Sequence, residues 1–344
     1  MLGVNAMRVF DELGLAQAVA ARGFPLHRIG VRTAAGRTLS FVDIDQVARR
    51  TGLHSVAISR AALHQVLSES LPPPTIRLGE TCVAVTADAD GVSAGFASGR
   101  EIRPDILVGA DGLHSHVRQA LGLDAPLRDP GQVCFRGLCS TAGLTLDDDG
   151  FYESWGQGRR FGFVEVGEGQ LYWFLTLNRG QVPIPEGSGS RDELVDQFRD
   201  WWRPIPDVIA ATHPDAIIRN DLFDRPPADL WHRHGAVLLG DAAHPTTPNM
   251  GQGAGMAVES AAVLAHCLAT VPHVEDALAE YERLRRPRTA SITRRSWHLG
   301  RLATLSGSVA IGLRNVLLGS VPQRLGQRQA EALFTYDIYG GAPS

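Results

Sequence analysis

Apolar residues recur along this chain in two patterns, one typical of β-strands and one typical of α-helices. Apolar and polar positions alternate in QVCFRGLCS, RRFGFVEV and QLYWFLTLN, between residues 131 and 180, which predicts long strands of an antiparallel sheet with one covered face. Residues 26–42 alternate around the turn TAAGR and predict a β-hairpin. DILVGA at 105–110 and the segment 235–240 are continuous apolar runs, which predicts two strands, the first of them buried on both faces.

The helical period covers most of the remaining chain. Ser59 precedes apolar residues at helical spacing and predicts an N-cap for a helix through residue 69. RDELVDQFRDWW and IPDVIAATH predict amphipathic helices. Helices also follow the two apolar runs, one starting near His114 and one ending near residue 269. From 273 to 334 nearly every residue fits a helix, with a break marked by Pro287.

The order of these elements predicts the fold class. Two apolar strands, each ending in a glycine motif, are separated by an antiparallel sheet, which indicates an α/β nucleotide-binding domain of Rossmann-like type interrupted by an α+β domain. The predicted domains are a nucleotide-binding domain over residues 1–70, 100–128 and 232–300, a substrate-binding sheet domain over 26–45 and 129–231, and a helical tail over 300–344.

Composition and charge narrow the class of protein. The 344 residues are 44% hydrophobic and 20% charged, with a formal net charge of −4, which argues against a specialist in binding nucleic acids or anionic membranes. No signal peptide opens the chain and no apolar run reaches about 18 residues, so we expect a soluble cytoplasmic protein without stable membrane insertion. The late apolar segment SGSVAIGLRNVLLGSVP carries Arg314 at its centre; we expect it to pack, with an interfacial helix as the alternative.

Two residue types limit the chemistry. All 33 basic residues are arginine, and the absence of lysine excludes a Schiff-base lysine and a Walker-type phosphate site. The four cysteines, at 82, 134, 139 and 267, form no C-x-x-C pair and accompany no histidine cluster at zinc spacing. We therefore expect buried free thiols, a reducing compartment and no metal site.

A glycine-rich stretch follows the second apolar run. GDAAHPTTPNMGQGAGMA places Asp241 at a strand end and then Gly251, Gly253 and Gly255 before an alanine-rich helix. The carboxylate can accept hydrogen bonds from a ribose or ribitol hydroxyl, and the glycines let backbone N–H groups approach a ligand closely. The N-terminus of the helix favours a phosphate or an electron-rich ring carbonyl. This stretch predicts a nucleotide-type ligand, against the alternative of an ordinary strand–helix crossover.

The first apolar run ends in a second motif, DILVGADGLHSHVRQAL. Asp111 and Gly112 lie where a ligand would meet the carboxyl end of a parallel strand, and Arg118 lies about two turns into the next helix. Alone, this motif is also compatible with a turn that has an aspartate cap. Together, the two motifs are about 130 residues apart and indicate one shared ligand.

The segments GADGLHSHVR and GDAAHPTTPNMGQGAGMAVES together resemble the paired motifs of the FAD-dependent single-component aromatic hydroxylases, the p-hydroxybenzoate hydroxylase-like monooxygenases. VNAMRVFDELGL, SVAISRAALHQVL and YERLRRPRTASITRRSW are similar to further segments of that family, so the resemblance covers nearly the whole chain. ESWGQGRRFGFVEV is most similar to zeaxanthin-epoxidase-like and urate- or salicylate-hydroxylase-like members. The resemblance implies an enzyme, a monomer or homodimer, that uses FAD, NADH or NADPH, and O₂ to insert one oxygen atom into an aromatic or other electron-rich small molecule.

The resemblance also implies roles for particular residues. Arg60 is expected to reach the FAD phosphates, Cys82 to offer its backbone to the adenine, and Asp241 to bind the ribitol. The backbone of residues 251–254 is expected near the isoalloxazine, with Pro248 over the ring. The residues implied in cofactor binding are Arg60, Cys82, Asp111, Gly112, Arg118, Asp241, Gly251, Gln252, Gly253 and Ala254.

Four residues bear on the substrate and the catalytic chemistry. Arg160 and Tyr172 match pocket positions of urate-hydroxylase-like relatives, where a guanidinium suits an anionic or carbonyl-rich ring; ordinary sheet packing is the alternative. Those relatives place an acid directly after the equivalent of Pro248, whereas Asn249 stands here, which argues against urate-like chemistry. His244 is a candidate proton relay, with a hydrogen-bonded structural histidine as the alternative.

One expected unit is missing from the sequence. Members of the family begin with a βαβ unit that carries G-x-G-x-x-G and binds the FAD pyrophosphate, and this sequence contains no such unit. We therefore expect an N-terminally truncated chain that lacks roughly 40 residues at its start. Two alternatives stay open: a truncated, non-catalytic remnant, and another FAD-dependent oxidoreductase on the same fold.

Overall fold

The computed structural model describes residues 1–146, 150–181, 183 and 190–339. Its α-helices are α1 (Val4–Glu12), α2 (Ala16–Arg22), α3 (Asp45–Thr51), α4 (Arg60–Glu69), α5 (His116–Ala120), α6 (Arg191–Phe198), α7 (Ile205–Ala210), α8 (Gly253–Thr270), α9 (Val274–Ala303), α10 (Ser308–Ser320) and α11 (Gln323–Phe334). Its strands are β1 (Phe24–Leu26), β2 (Arg28–Thr33), β3 (Thr38–Asp43), β4 (Ser55–Ala57), β5 (Cys82–Asp88), β6 (Gly91–Phe96), β7 (Glu101–Ile102), β8 (Leu107–Gly109), β9 (Gln132–Ser140), β10 (Phe151–Trp155), β11 (Arg159–Glu165), β12 (Gln170–Asn178), β13 (Ile218–Asp221), β14 (His232–Arg233) and β15 (Ala236–Leu238).

Most predicted elements are confirmed, and two differ in detail. The hairpin over 26–42 forms β2 and β3, and the Ser59 hydroxyl caps α4 by accepting a hydrogen bond from the Ala62 amide at 3.1 Å. The helix predicted over RDELVDQFRDWW ends at Phe198, because the two tryptophans that follow pack against the core of the sheet instead of continuing the helix. Helix α9 runs through Pro287 without the predicted break.

Contacts between residues divide the chain into two compact units. Unit 1 comprises residues 1–66, 129–222 and 299–336, and unit 2 comprises 67–128, 223–298 and the described residues from 337 onward. The first 66 residues thus associate with the antiparallel sheet, whereas the sequence pattern predicts 1–70 as part of the nucleotide-binding domain. The predicted domains group residues by the ligand they are expected to bind, whereas the two units group residues by their contacts. The predicted domains therefore stay a prediction.

Unit 1 contains a seven-stranded sheet in the order β13-β9-β12-β11-β10-β2-β3. Strands β10 and β2 pair in parallel and the other neighbours are antiparallel, so the predicted antiparallel sheet is confirmed with one parallel pair. One face packs on α6 and α7 around a core in which Phe161 stacks on Trp173. Because side chains alternate between faces, the register places Glu153, Arg160 and Tyr172 together on the opposite face.

Unit 2 contains two three-stranded sheets, β14-β15-β8 and β5-β6-β7. Strands β15 and β8 are parallel, so their carboxyl ends, which precede the two glycine motifs, lie at one edge. All three residues of β15 are buried, but Val108 in β8 is 40% exposed. The prediction that β8 is buried on both faces is therefore wrong, because β8 is the edge strand of this sheet and pairs with β15 alone.

Helix α8 is long and apolar enough to cross a membrane by length and composition, with a mean hydropathy of 1.2 over 18 residues. In the structure 39% of that stretch is buried, and the helix packs against the 3₁₀ turn Gly240–Ala242. It also buries Glu259 with two arginines of α9. These contacts are those of a helix that packs within a folded unit.

Candidate functional site

The glycine-rich motif of unit 2 forms a chain of tight turns that leads into α8. Strand β15 is followed by the 3₁₀ turn Gly240–Ala242 and by a second 3₁₀ turn at Pro248–Met250. Gly240 and Gly251 have φ values of 60° and 62°, in the left-handed region that side chains with a Cβ disfavour. Glycine at these two positions therefore lets the chain turn twice between the strand and the helix.

The start of α8 leaves backbone donors available to a ligand. No side chain caps this end of the helix, whose N-cap residue is Gln252, and the first amides of a helix have no intrahelical partner. Four residues around this end are exposed, namely Asp241, Pro248, Gly251 and Ala254. Exposed N–H groups, the positive end of the helix and one carboxylate fit a ligand with ring carbonyls and hydroxyls, such as the isoalloxazine and ribitol of FAD.

The first motif places Asp111 at the N-terminus of α5. The Asp111 carboxylate accepts hydrogen bonds from the His116 amide at 2.7 Å and from the Val117 amide at 3.2 Å. The side chain is exposed, and Gly112 follows it with a φ of 79°. Asp111 thus acts as an aspartate cap, as the alternative interpretation of this motif expects, and a role toward the cofactor stays a prediction.

Arg118 joins the two motifs inside unit 2. Its side chain is buried, and its guanidinium donates to the carbonyl oxygens of Leu123 at 3.0 Å and Ala242 at 2.8 Å. These partners are backbone carbonyls of the chain itself, which makes Arg118 a positioning residue for the turn after β15. Sequence reasoning missed this role because Ala242 is 124 residues away.

Arg60 and Cys82 lie outside these turns. Arg60 is the first residue of α4 and is exposed, so its guanidinium is available to a phosphate. Cys82 begins β5, and its thiol lies 3.6 Å from the carbonyl oxygen of Ala84. The predicted contacts of both residues with FAD stay predictions.

His244 is buried behind the glycine-rich motif. Its Nε2 lies 3.0 Å from the Ser260 hydroxyl, and the ring centroid lies 5.3 Å from that of Trp231. Burial, with a smaller effect of the nearby Arg285, lowers the pKa of His244 to about 3. The ring is therefore neutral at neutral pH, which favours the alternative of a hydrogen-bonded structural histidine over a proton relay.

This buried histidine predicts a pH-dependent stability. The pKa is about 3 in the folded protein against about 6.5 in an unfolded chain, so stability present above pH 6.5 is lost as the pH falls toward 3. Between pH 7.5 and 5.5 this residue lowers the free energy of unfolding by about 1.4 kcal/mol. The free energy of unfolding is measured by urea unfolding at the two pH values. Between them, His244→Asn should lose about 1.4 kcal/mol less of this free energy than the wild type does. An equal loss in both proteins would contradict the assignment.

Asn249 anchors the turn that follows Pro248. Its side chain is buried, and its Nδ2 donates to the Thr247 hydroxyl at 2.9 Å and to the Ser296 carbonyl at 2.8 Å. A carboxylate at this position could donate neither hydrogen bond. The amide that replaces the acid expected of urate-hydroxylase-like relatives therefore holds Pro248 and the turn against α9.

The polar face of the sheet in unit 1 carries a buried ion pair. Arg160 donates to Glu153 at 3.2 Å, and the Trp155 indole donates to the same carboxylate oxygen at 3.0 Å. Arg160 has no exposed surface, and its guanidinium lies 5.6 Å from the ring centroid of Phe174. Burial of the guanidinium against Glu153 favours the alternative of ordinary sheet packing, and the pocket-lining role of Arg160 stays a prediction.

Tyr172 is the more accessible of the two predicted substrate residues. Its ring lies 6.4 Å from Phe174, and burial of the phenol raises its pKa to about 12, so the hydroxyl keeps its proton at neutral pH. Sequence reasoning missed Glu153 and Phe174 as members of this face. The alternation in FYESW and QLYWFLTLN could have placed both there, since Glu153 and Phe174 each pair with Gly162.

Unit 2 also contains a cavity of about 540 Å³ beside the glycine-rich motif. Four arginines line it, namely Arg225, Arg283, Arg286 and Arg294, together with Asp229 and Glu282. The first three arginines are ion-paired with carboxylates. Arg294 pairs with no carboxylate in the part of the chain that the structure describes, and its guanidinium suits an oxyanion.

Comparisons with known proteins agree with this geometry. A family described as FAD binding domain matches residues 1–145 and 224–296. The crystal structure of Klebsiella pneumoniae HpxO complexed with FAD and uric acid aligns with a TM-score of 0.88 at 25% identity, over 97% of this chain and 86% of that chain.

Two curated relatives align over most of their length. Aurachin C monooxygenase/isomerase of Stigmatella aurantiaca is 38% identical over 91% of this chain and 82% of its own length. The 2-heptyl-3-hydroxy-4(1H)-quinolone synthase of Pseudomonas aeruginosa (strain PAO1) is 33% identical over 97% of this chain and 87% of its own length. The chain thus belongs to the FAD-binding-domain family and is an FAD-dependent monooxygenase.

Proposed function

We propose that this protein uses NADH or NADPH as reductant and transfers one oxygen atom from O₂ to an aromatic or other electron-rich small molecule with a ring carbonyl. The observation that supports this most is the uncapped start of α8 beside the exposed Asp241, because both features suit the flavin end of FAD. When bound, FAD supplies the electron transfer and oxygen activation for which no amino-acid side chain is suited.

The protein's own residues position and shield that chemistry. Asp241 would accept hydrogen bonds from the ribitol, and the amides of residues 251–254 would bind the electron-rich edge of the isoalloxazine. Pro248 would lie beside the ring, and the hydrogen bonds of Asn249 fix the position of this proline. Arg118 holds the turn that carries Asp241. These roles are proposals, and each residue acts by binding or by orientation.

The arginine-lined cavity of unit 2 supports a reductant that carries phosphates. The space of about 540 Å³ lies within the usual range for small-molecule sites. Arg225, Arg283 and Arg286 are paired with carboxylates, whereas Arg294 at the rim pairs with none among the residues that the structure describes. The pyrophosphate or ribose phosphate of NADH or NADPH would complement this charge.

Arg294 offers a direct test of that assignment. It is exposed at the cavity rim, whereas its neighbour Arg295 is equally exposed but does not line the cavity. Because an exposed charge contributes modestly, Arg294→Gln should raise the KM for NAD(P)H about two- to fivefold with kcat unchanged. Arg295→Gln should leave both constants unchanged in the same steady-state assay. Equal effects of the two substitutions would remove the support for this cavity.

The polar sheet face of unit 1 supports a planar substrate with a ring carbonyl. Tyr172 keeps its proton and can donate a hydrogen bond to such an oxygen, with the ring of Phe174 beside it for stacking. Arg160 and Glu153 act behind it as a positioning pair that fixes Phe174. One relative is named for the synthesis of 2-heptyl-3-hydroxy-4(1H)-quinolone, so we propose alkylated quinolones and similar ring ketones as the substrate class.

The reaction is tested with labelled oxygen. The flavin-loaded protein is incubated with 2-heptyl-4(1H)-quinolone, NADH or NADPH, and ¹⁸O₂, and the products are analysed by mass spectrometry. One labelled oxygen in the product supports the proposal, and urate in a parallel reaction tests the urate-like alternative. Oxidation of NAD(P)H with hydrogen peroxide as the sole oxygen product, for every ring ketone offered, would overturn it.

A further inference from the structure

Helix α10 presents an apolar face to solvent. Four side chains at helical spacing are largely exposed: Val309 by 87%, Leu313 by 59%, Val316 by 65% and Leu317 by 59%. They span about 100° of the helix surface, since residues advance by about 100° each. Its opposite side packs within unit 1 through Arg314 and neighbours of β3. The prediction that this segment packs is thus correct for one side of the helix alone.

The apolar surface continues past the end of α10. Val321 and Leu325 are 44% and 48% exposed, so exposed apolar residues extend into the start of α11. Solitary exposed leucines are ordinary on a protein surface, but a contiguous apolar row marks an interaction site.

The sequence around this face is rich in arginine and lacks carboxylates. No acidic residue occurs between Glu282 and Glu331, whereas ten arginines do. Three of them, Arg301 near the end of α9 and Arg324 and Arg328 in α11, are exposed and pair with no carboxylate among the residues that the structure describes. The whole chain has a net charge of −4, so this local excess of positive charge is a property of the segment.

We propose that the apolar face of α10, with the flanking arginines, docks the protein onto the surface of an anionic lipid bilayer. An apolar helix face with basic residues beside it is the pattern of helices that lie in the membrane interface, and the arginines complement acidic headgroups. The 13 residues of α10 extend about 20 Å, too short to cross a hydrocarbon core of about 30 Å. The helix therefore lies on the membrane.

Charge argues against a second copy of this chain as the occupant. A two-fold contact places the same patch of both subunits face to face, so Arg301, Arg324 and Arg328 would approach their own copies. Docking also fits the proposed function, because a substrate with a heptyl chain dissolves in the bilayer. This part of the inference rests on the proposed function. The binding itself is measured without turnover, so its failure and the failure of the proposed function are distinguishable.

The test is co-sedimentation of the full chain with vesicles. The protein should bind vesicles of phosphatidylcholine with phosphatidylglycerol and bind pure phosphatidylcholine vesicles at least about tenfold more weakly. The double substitution L313S/L317S should reduce binding on the order of tenfold, and R324Q/R328Q should reduce it for the anionic vesicles alone. The matched control L13S/L78S replaces two leucines that are 63% and 89% exposed elsewhere and should bind as wild type.

Two results would overturn the proposal. One is equal sedimentation of the wild type and L313S/L317S with anionic vesicles, with circular dichroism showing both folded. The other is a dimer of the wild type in analytical ultracentrifugation that L313S/L317S converts to a monomer, without vesicle binding by either protein, which would assign the face to a second copy.

Discussion

Replacing Glu259 by glutamine should lower the free energy of unfolding by about 3–5 kcal/mol. Glu259 is fully buried on α8 and accepts hydrogen bonds from two buried arginines of α9, with Arg288 bound at 2.6 and 2.8 Å and Arg285 bound to the same carboxylate. Glutamine has one oxygen fewer and presents an NH₂ group to these donors. Two buried guanidinium groups would then lose the carboxylate that they share, which is the costly way to break such a network.

The substitution should also weaken cofactor binding, because the network of Glu259, Arg285 and Arg288 lies near the start of α8. Glu259 is in the second turn of the helix whose first amides are proposed to meet the flavin, and Arg285 and Arg288 stand on either side of Pro287 in α9. The network thus fixes the start of α8 against a helix that proline weakens. Total stabilities of about 5–15 kcal/mol are usual, so E259Q should also retain less FAD at 37 °C.

The measurement is urea unfolding followed by tryptophan fluorescence. Glu280→Gln is the matched control, because Glu280 also pairs with an arginine, Arg283, but on the surface of α9, where ion pairs contribute little. This control should unfold as the wild type does. If E259Q and E280Q unfolded at the same urea concentration, the buried network would not have the stabilising role that its burial indicates.

Local pattern was enough to predict most elements of this fold. Alternation is a local property of a strand, so β9, β11 and β12 follow from the sequence. The glycine-rich stretch likewise predicts a turn before α8, and the structure places two left-handed glycines there, at 240 and 251. The sequence did not show which surfaces of a strand are covered by other elements. The prediction that β8 is buried on both faces was wrong for this reason, since Val108 is exposed and β8 is an edge strand.

Local sequence pattern could not predict hydrogen bonds between residues that are distant in sequence. The guanidinium of Arg118 binds carbonyls of a turn more than 120 residues later, a contact that no local pattern could indicate, and its role toward a ligand stays a prediction. For Arg160, alternation predicts the face of the sheet, yet it cannot show that the guanidinium donates to Glu153 and lies against the ring of Phe174. Buried arginines make several hydrogen bonds at once, so their roles depend on the tertiary structure around them.

Replacing Gly253 by alanine should weaken FAD binding while leaving the chain as stable as before or slightly more stable. A Cβ at this position meets no atom nearer than Thr246 Cγ2 at 3.7 Å, an ordinary contact, and alanine favours a helix over glycine by up to about 1 kcal/mol. Toward the proposed ligand the same methyl group intrudes where backbone amides approach the isoalloxazine. Overpacking of this kind costs about 1–3 kcal/mol, which corresponds to a Kd for FAD raised roughly five- to 150-fold.

The opposite signs of the two effects make G253A informative. The Kd is measured by quenching of FAD fluorescence, and the stability of the flavin-free protein by urea unfolding. Gly312→Ala is the matched control: its Cβ meets nothing within 4 Å, and it lies in α10, so it should stabilise the helix and leave the Kd unchanged. If G253A bound FAD as tightly as G312A did, the start of α8 would not contact the flavin, and the exposed turn around Asp241 would need another ligand.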